Sequence, residues 1–185
     1  MFTDDEIIEG CLQNDRKMQK ALYDKYAARM FAVCLRYAKG RDEASDMLQD
    51  GFLKIFTKMG QFSREHSFEG WMRRVMTNTA ITNYYQNKKY NEQQSIDNIN
   101  ETDIENFEFK DNEFSNEELM NIIQAIPDTY RVVFNLFAIE GYKHKEIADM
   151  LNIEVSTVKT QYHRARKLIQ TKLQELEKEK NNNVG

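Results

Sequence analysis

The sequence predicts an all-α protein of two helical domains joined by a flexible acidic linker, and three observations carry that prediction. Only 7 glycines and 1 proline interrupt 185 residues, too few turn-makers for a many-stranded sheet. On both sides of a central stretch, apolar residues recur at helical intervals, with no strand-like alternation beside them. That stretch, 91–114, has no sustained period and is rich in Asn, Asp and Glu, the composition of an extended, self-repelling linker.

Each element has its own signal. Thr3-x-x-Glu6 is a capping box ahead of Ile7, Ile8, Cys11 and Leu12. A long helix over about 16–39 carries the stripe Met18, Leu22, Tyr26, Met30, Val33, Cys34 and Tyr37, and stops at Gly40. A third helix, 42–59, aligns Met47, Leu48, Phe52, Ile55, Phe56 and Met59. The loop 61–67 leads to a fourth helix over about 68–89. Beyond the linker, Ser115-x-x-Glu118 is a second capping box, opening a short helix that Pro127 closes. Helices are expected at 128–140, 143–151 and 156–173. The domains are therefore placed at 1–90 and 115–175, with 176–185 a fraying tail.

Charge is segregated along the chain. The formal net charge is −4, yet residues 1–90 carry +3, 91–118 carry −9 and 119–185 carry +2. Both ends remain open to an anionic partner, and the acidic linker could screen the basic helix near the C-terminus. No apolar run reaches the 18 or so residues of a membrane span, which argues against membrane insertion. The acidic N-terminus is unlike a signal peptide, and two cysteines cannot form a disulfide framework, so a cytoplasmic setting is expected. His66, His144 and His163 stand far apart without carboxylates or cysteines at ligand spacing, so neither a metal nor a cofactor is expected. With no phosphate loop, nucleophile elbow or paired carboxylates, the chain does not read as an enzyme.

Three segments point to function. Ile147, Ala148 and Leu151, then Ile153 in a three-residue turn, then Val158, Ala165 and Leu168 have helix-turn-helix spacing, with Ser156 able to cap the second helix. The outward face of that helix shows Thr157, Lys159, Thr160, His163, Arg164 and Lys167. Residues 155–174 hold 5 basic groups and no acid, which suits a major groove. In the second segment, Trp71 to Tyr90, Arg73, Arg74, Lys88 and Lys89 are interleaved with Trp71, Tyr84, Tyr85 and Tyr90. Unstacked bases call for this mixture of rings and cations. Third, Asp46, Gln49, Asp50 and Leu53 share the face of their helix opposite its apolar stripe, a modest docking signature.

In their order and separation, these residues resemble the extracytoplasmic-function group of bacterial sigma factors, the smallest members of the sigma-70 family. The likeness covers about 18–90 and 116–172. Asp46-Met47-Leu48-Gln49-Asp50-x-Phe52 is similar to the family's core-polymerase-binding segment. Phe62 with Phe68-Glu-Gly-Trp71 through Asn78-Thr-Ala is similar to its promoter-melting segment. Ile126-Pro127-x-x-Tyr-Arg131, Glu146-Ile-Ala-x-x-Leu151, Thr157-Val-Lys-Thr160 and Arg164-Ala-Arg166 are similar to its promoter-reading domain. The resemblance implies a subunit that directs RNA polymerase to promoters, with promoter DNA and the core enzyme as partners and an anti-sigma factor as a further candidate. It implies that Asp46, Met47, Leu48, Gln49, Asp50 and Leu53 bind core polymerase. The single-stranded −10 element would fall to Arg64, His66, Ser67, Phe68, Trp71, Arg74 and Asn78, and the −35 duplex to Ser156, Thr157, Lys159, Thr160, His163, Arg164 and Lys167. The rival readings are a stand-alone helix-turn-helix regulator and a helical protein that sequesters partners.

Overall fold

The computed structural model describes residues 2–90 and 114–182, residues 87–90 by backbone alone; the linker lies outside the described residues. Every regular element among the described residues is helical. The chain divides into two compact units, Met1–Tyr90 and Asn91–Gly185.

The first unit is built on α2 (Arg16–Tyr37), which packs against α1 (Asp4–Leu12), α3 (Arg41–Lys58) and α4 (Phe68–Tyr90). Thr3 caps α1 as its sequence predicts, its hydroxyl accepting from the Glu6 amide while the Glu6 carboxylate returns to the Thr3 amide. Asp15 caps α2 by accepting from the Lys17 amide at 2.7 Å. Leu22, Met30, Ile55 and Met72 from three helices are buried at 0% exposure in one core. Each such side chain contributes about 1.5–3 kcal/mol on removal from water. Gly51 lets the Met76 side chain of α4 pack directly on α3, since a Cβ there would stand 2.1 Å from the Met76 sulfur. The Lys54 ammonium donates to the Thr79 hydroxyl across the same pair of helices. A single 3₁₀ turn, Met59–Gln61, then leads into the loop before α4.

In the second unit, α8 (Val155–Asn182) is the spine, with α5 (Asn116–Gln124), α6 (Asp128–Phe134) and α7 (His144–Leu151) packed on it. The second capping box is present at Ser115 and Glu118. Between α6 and α7, a π-turn, Asn135–Ile139, replaces the end of the single helix expected over 128–140. It is followed by Gly141 at φ +78°, a conformation that glycine adopts without steric cost. Arg131, only 2% exposed, donates to the Gln124 carbonyl and to Asp128, both at 2.7 Å, so its charge closes the α5–α6 corner.

The tail expected to fray from 176 is instead the last part of α8, which runs to Asn182. Lys180 bonds the Glu118 carboxylate at about 3.0 Å and lies over the Phe114 ring at 5.0 Å, while Leu176 packs on the same apolar cluster. A charged helix end finds partners on α5 that its own sequence gives no sign of.

Candidate nucleic-acid interface

The helix-turn-helix forms because local and tertiary signals agree. α7 ends at Asn152, whose φ of +46° reverses the chain in the left-handed region that Asn tolerates. The Ile153 amide reaches back to the Ala148 carbonyl at 3.1 Å. Ile147, Ala148, Leu151, Val158 and Ala165 are buried, as the spacing predicts. Phe137, stacked on His144 at 4.2 Å and tilted on Tyr162 at 4.6 Å, braces the start of α7 against the N-terminal third of α8.

On the free side of α8, Ser156, Lys159, Thr160 and His163 are exposed and fall on one stripe, with Thr157 half-buried beside it. Four expectations need correction. Ser156 does not cap α8, because the helix already begins at Val155; Ser156 lies in the first turn, its carbonyl accepting from the Thr160 hydroxyl. Arg164 is half-buried and donates to the Tyr130 hydroxyl at 3.3 Å, so it braces α8 on α6. Lys167 and Leu168 are also only half-buried, at the edge of the stripe and of the core respectively. Val155, which the sequence pattern does not single out, is 36% exposed at the helix start, one turn before the buried Val158.

In the first unit, Phe62, Phe68 and Trp71 form a ring cluster, with centroids 5.1–6.0 Å apart and Phe68 stacked nearly parallel to Trp71. Tyr26 meets Phe68 edge-on at 5.9 Å. Phe68, expected at the DNA surface, is only 6% exposed and belongs to this cluster, where it supports the half-buried Trp71. Arg74 and Asn78 are exposed on the Trp71 side of α4, while Met72, Met76, Thr77 and Ala80 fill the opposite face. His66 and Ser67 are exposed in the preceding loop. Arg64 is exposed too, but its guanidinium is already engaged by two carboxylates of α1, Asp5 at 2.9 Å and Glu9. Tyr84 and Tyr85 meet at 5.5 Å; the side chains of Lys88, Lys89 and Tyr90 lie outside the described residues.

On α3, Asp46, Gln49, Asp50 and Leu53 are exposed, and Leu53 at 63% is the most exposed large apolar side chain among the described residues. Met47 and Leu48 belong to the core instead, at 3% and 7% exposure. Met47 and Leu48, expected to bind a partner, instead hold α3 in the core, because side chains one and two residues after Asp46 point inward. The two cysteines are buried thiols; burial pushes Cys11 up to about 11 and Cys34 up to about 12, far from a reactive thiolate.

A helix-turn-helix whose second helix is basic and free of acids over 155–174, and a separate unit presenting a ring cluster beside exposed polar side chains, fit a DNA-reading transcription protein. The comparisons with known proteins agree with this class. Residues 22–90 match the family model for sigma-70 region 2, and residues 116–169 match that for sigma-70 region 4. The ECF RNA polymerase sigma-E factors of Haemophilus influenzae and Escherichia coli K12 are each 27% identical over 188 residues. Both alignments cover 95% of this chain, and 97% and 96% of those proteins respectively. The sigma factor RpoE of Bartonella quintana, solved in complex with the anti-sigma factor NepR, shares the fold. Its TM-score is 0.52 at 15% identity, over 84% of this chain and 96% of that one. The chain belongs to the extracytoplasmic-function group of the sigma-70 family: it directs bacterial RNA polymerase to promoters and is an initiation factor rather than an enzyme. Its partners are core RNA polymerase and promoter DNA, and no described helix is long and apolar enough to cross a membrane.

Proposed function

We propose a division of labour within that activity, carried out in the cytoplasm where promoters and polymerase meet. Residues 1–90 dock the core enzyme and open the −10 element; residues 115–175 read the −35 element. Docking falls to Asp46, Gln49, Asp50 and Leu53. The observation that carries this reading is Leu53, a large apolar side chain left 63% exposed among polar neighbours.

Opening requires a base to leave the stack and find a ring face and hydrogen-bond partners. Trp71, backed by Phe68, offers the ring; Asn78 and the loop residues His66 and Ser67 offer polar groups; Arg74 offers charge to the backbone. At the −35 duplex, Lys159 and His163 reach phosphates or guanine edges, and Ser156, Thr157 and Thr160 reach either. Val155 adds an apolar contact suited to a thymine methyl. An anti-sigma factor is a further partner in this reading, suggested by the solved complex of the Bartonella quintana protein.

Run-off transcription with purified core polymerase tests the assignment. Leu53→Asp leaves the core of α3 untouched and should weaken association with core polymerase by at least about 2 kcal/mol, the scale of an interface hot spot. Unchanged affinity would remove the docking role.

A further inference from the structure

The loop between Phe62 and Phe68 is anchored at both ends by rings, but its interior, Ser63 to Ser67, is wholly exposed and carries no apolar side chain. Its local bonds are a short turn, the His66 amide donating to the Ser63 carbonyl at 3.2 Å, and the end at Ser67, which accepts from the Gly70 and Trp71 amides of α4. The tertiary tie is Arg64. One guanidinium nitrogen donates to Asp5 at 2.9 Å and the other to Glu9, so two of the carboxylates of α1 grip a single fork.

Those carboxylates stand four residues apart on one face of α1, an arrangement that repels itself on a helix unless a cation lies between them. α1 is in turn held firmly. Ile7, Ile8 and Cys11 are buried, and Asp4 accepts from Lys25 at 2.8 Å and from the Tyr26 hydroxyl at 2.7 Å. A rigid acidic arm therefore reaches the first half of a loop otherwise tied only at its ends, and Arg64 arrives there already paired with two carboxylates.

We propose that Asp5, Glu9 and Arg64 form a positioning fork that sets the loop presenting His66 and Ser67, and so sets which base the −10 site accepts, without touching that base. The proposal rests on the reading of this loop as the −10 site. It reassigns Arg64 from a DNA contact to a strut, and makes two residues of α1, outside the matched region 22–90, determinants of promoter choice.

The test uses holoenzyme assembled from core polymerase and the full chain, on promoters that differ only in the unpaired base of the −10 element. Permanganate reactivity reports opening on each. Asp5→Asn combined with Glu9→Gln should narrow the preference for the best over the worst base by about three- to fivefold, the scale of an exposed ion-pair network. Arg64→Ala should narrow it similarly, with −35 duplex binding and thermal midpoint unchanged. The charge swap Arg64→Glu with Glu9→Arg should recover part of the preference. If Arg64 instead contacts phosphate, the acid-to-amide variant will bind every promoter more tightly and Arg64→Ala every promoter less tightly, with preference unaltered; that result overturns the proposal. So does an unchanged preference in the acid-to-amide variant. If Asn78→Ala and His66→Ala both open promoters normally, the −10 reading itself fails and the fork's role falls with it.

Discussion

α4 and α8 are both long helices with one buried face, yet they present different surfaces. The free side of α4 and its preceding loop stands over a cluster of rings, with Trp71 half-buried and Phe68 and Phe62 behind it. The free side of α8 is a stripe of hydroxyls, an ammonium and an imidazole on a helix whose inner positions are the small and aliphatic Val158 and Ala165. In the proposed division of labour, the difference follows from the two states of DNA. A duplex offers base edges and phosphates to a straight, closely packed helix. An unstacked base offers its face, and needs a ring and an irregular loop around it. One chain carries both solutions on separate folding units, so each can be broken without the other.

The largest expected effect tests that independence. Arg131 is buried with its charge on the partly exposed Asp128 and the Gln124 carbonyl, so Arg131→Ala should destabilise the second unit by about 2–3 kcal/mol, through lost charge-assisted hydrogen bonds and packing. Calorimetry should show a lowered transition for that unit, with −35 duplex binding lost and association with core polymerase retained. A second, smaller effect isolates the single-stranded side. Asn78→Ala should slow promoter opening by about tenfold, roughly one hydrogen-bonded contact, while −35 duplex affinity stays constant. Normal permanganate reactivity in this variant would erase the contrast between the helices.

Smaller still is the contribution of a single recognition-helix cation. Lys159→Ala should weaken duplex binding across sequences and reduce the slope of log affinity against log salt by about 1. A loss confined to one base position would instead assign Lys159 to base reading. The smallest effect concerns the reach of α8. Lys180, together with the Ser115 amide, holds the Glu118 carboxyl below its usual value of 4.5. A carboxylate depressed in the folded state contributes stability that is complete above that value and is lost as pH falls through the lower, folded one. Acid titration followed by circular dichroism should therefore show the second unit weakening in that window, and Glu118→Gln should flatten this part of the curve.

Some of these features could be read from residues near one another in the chain. The capping boxes at Thr3 and Ser115, the stripe of α2 and the turn at Asn152 depend on hydrogen bonds and periodicities spanning a few residues, so composition and spacing suffice to place them. The helix-turn-helix and the exposed Leu53 were legible for the same reason. Which side chains are free was not. Arg64 finds its partners 59 and 55 residues away, Arg164 reaches Tyr130 34 residues away, and Lys180 extends α8 by pairing with Glu118 62 residues away. Phe68 reads as a surface aromatic until Phe62, Trp71 and Tyr26 close around it. A helix's period is set by its own backbone geometry, but whether a cation or a ring on it meets water or another side chain depends on which faces pack. The sequence by itself therefore determined the helices and the order of the two units, and only the tertiary structure decided which charges are engaged by distant side chains, as Arg64, Arg164 and Lys180 are.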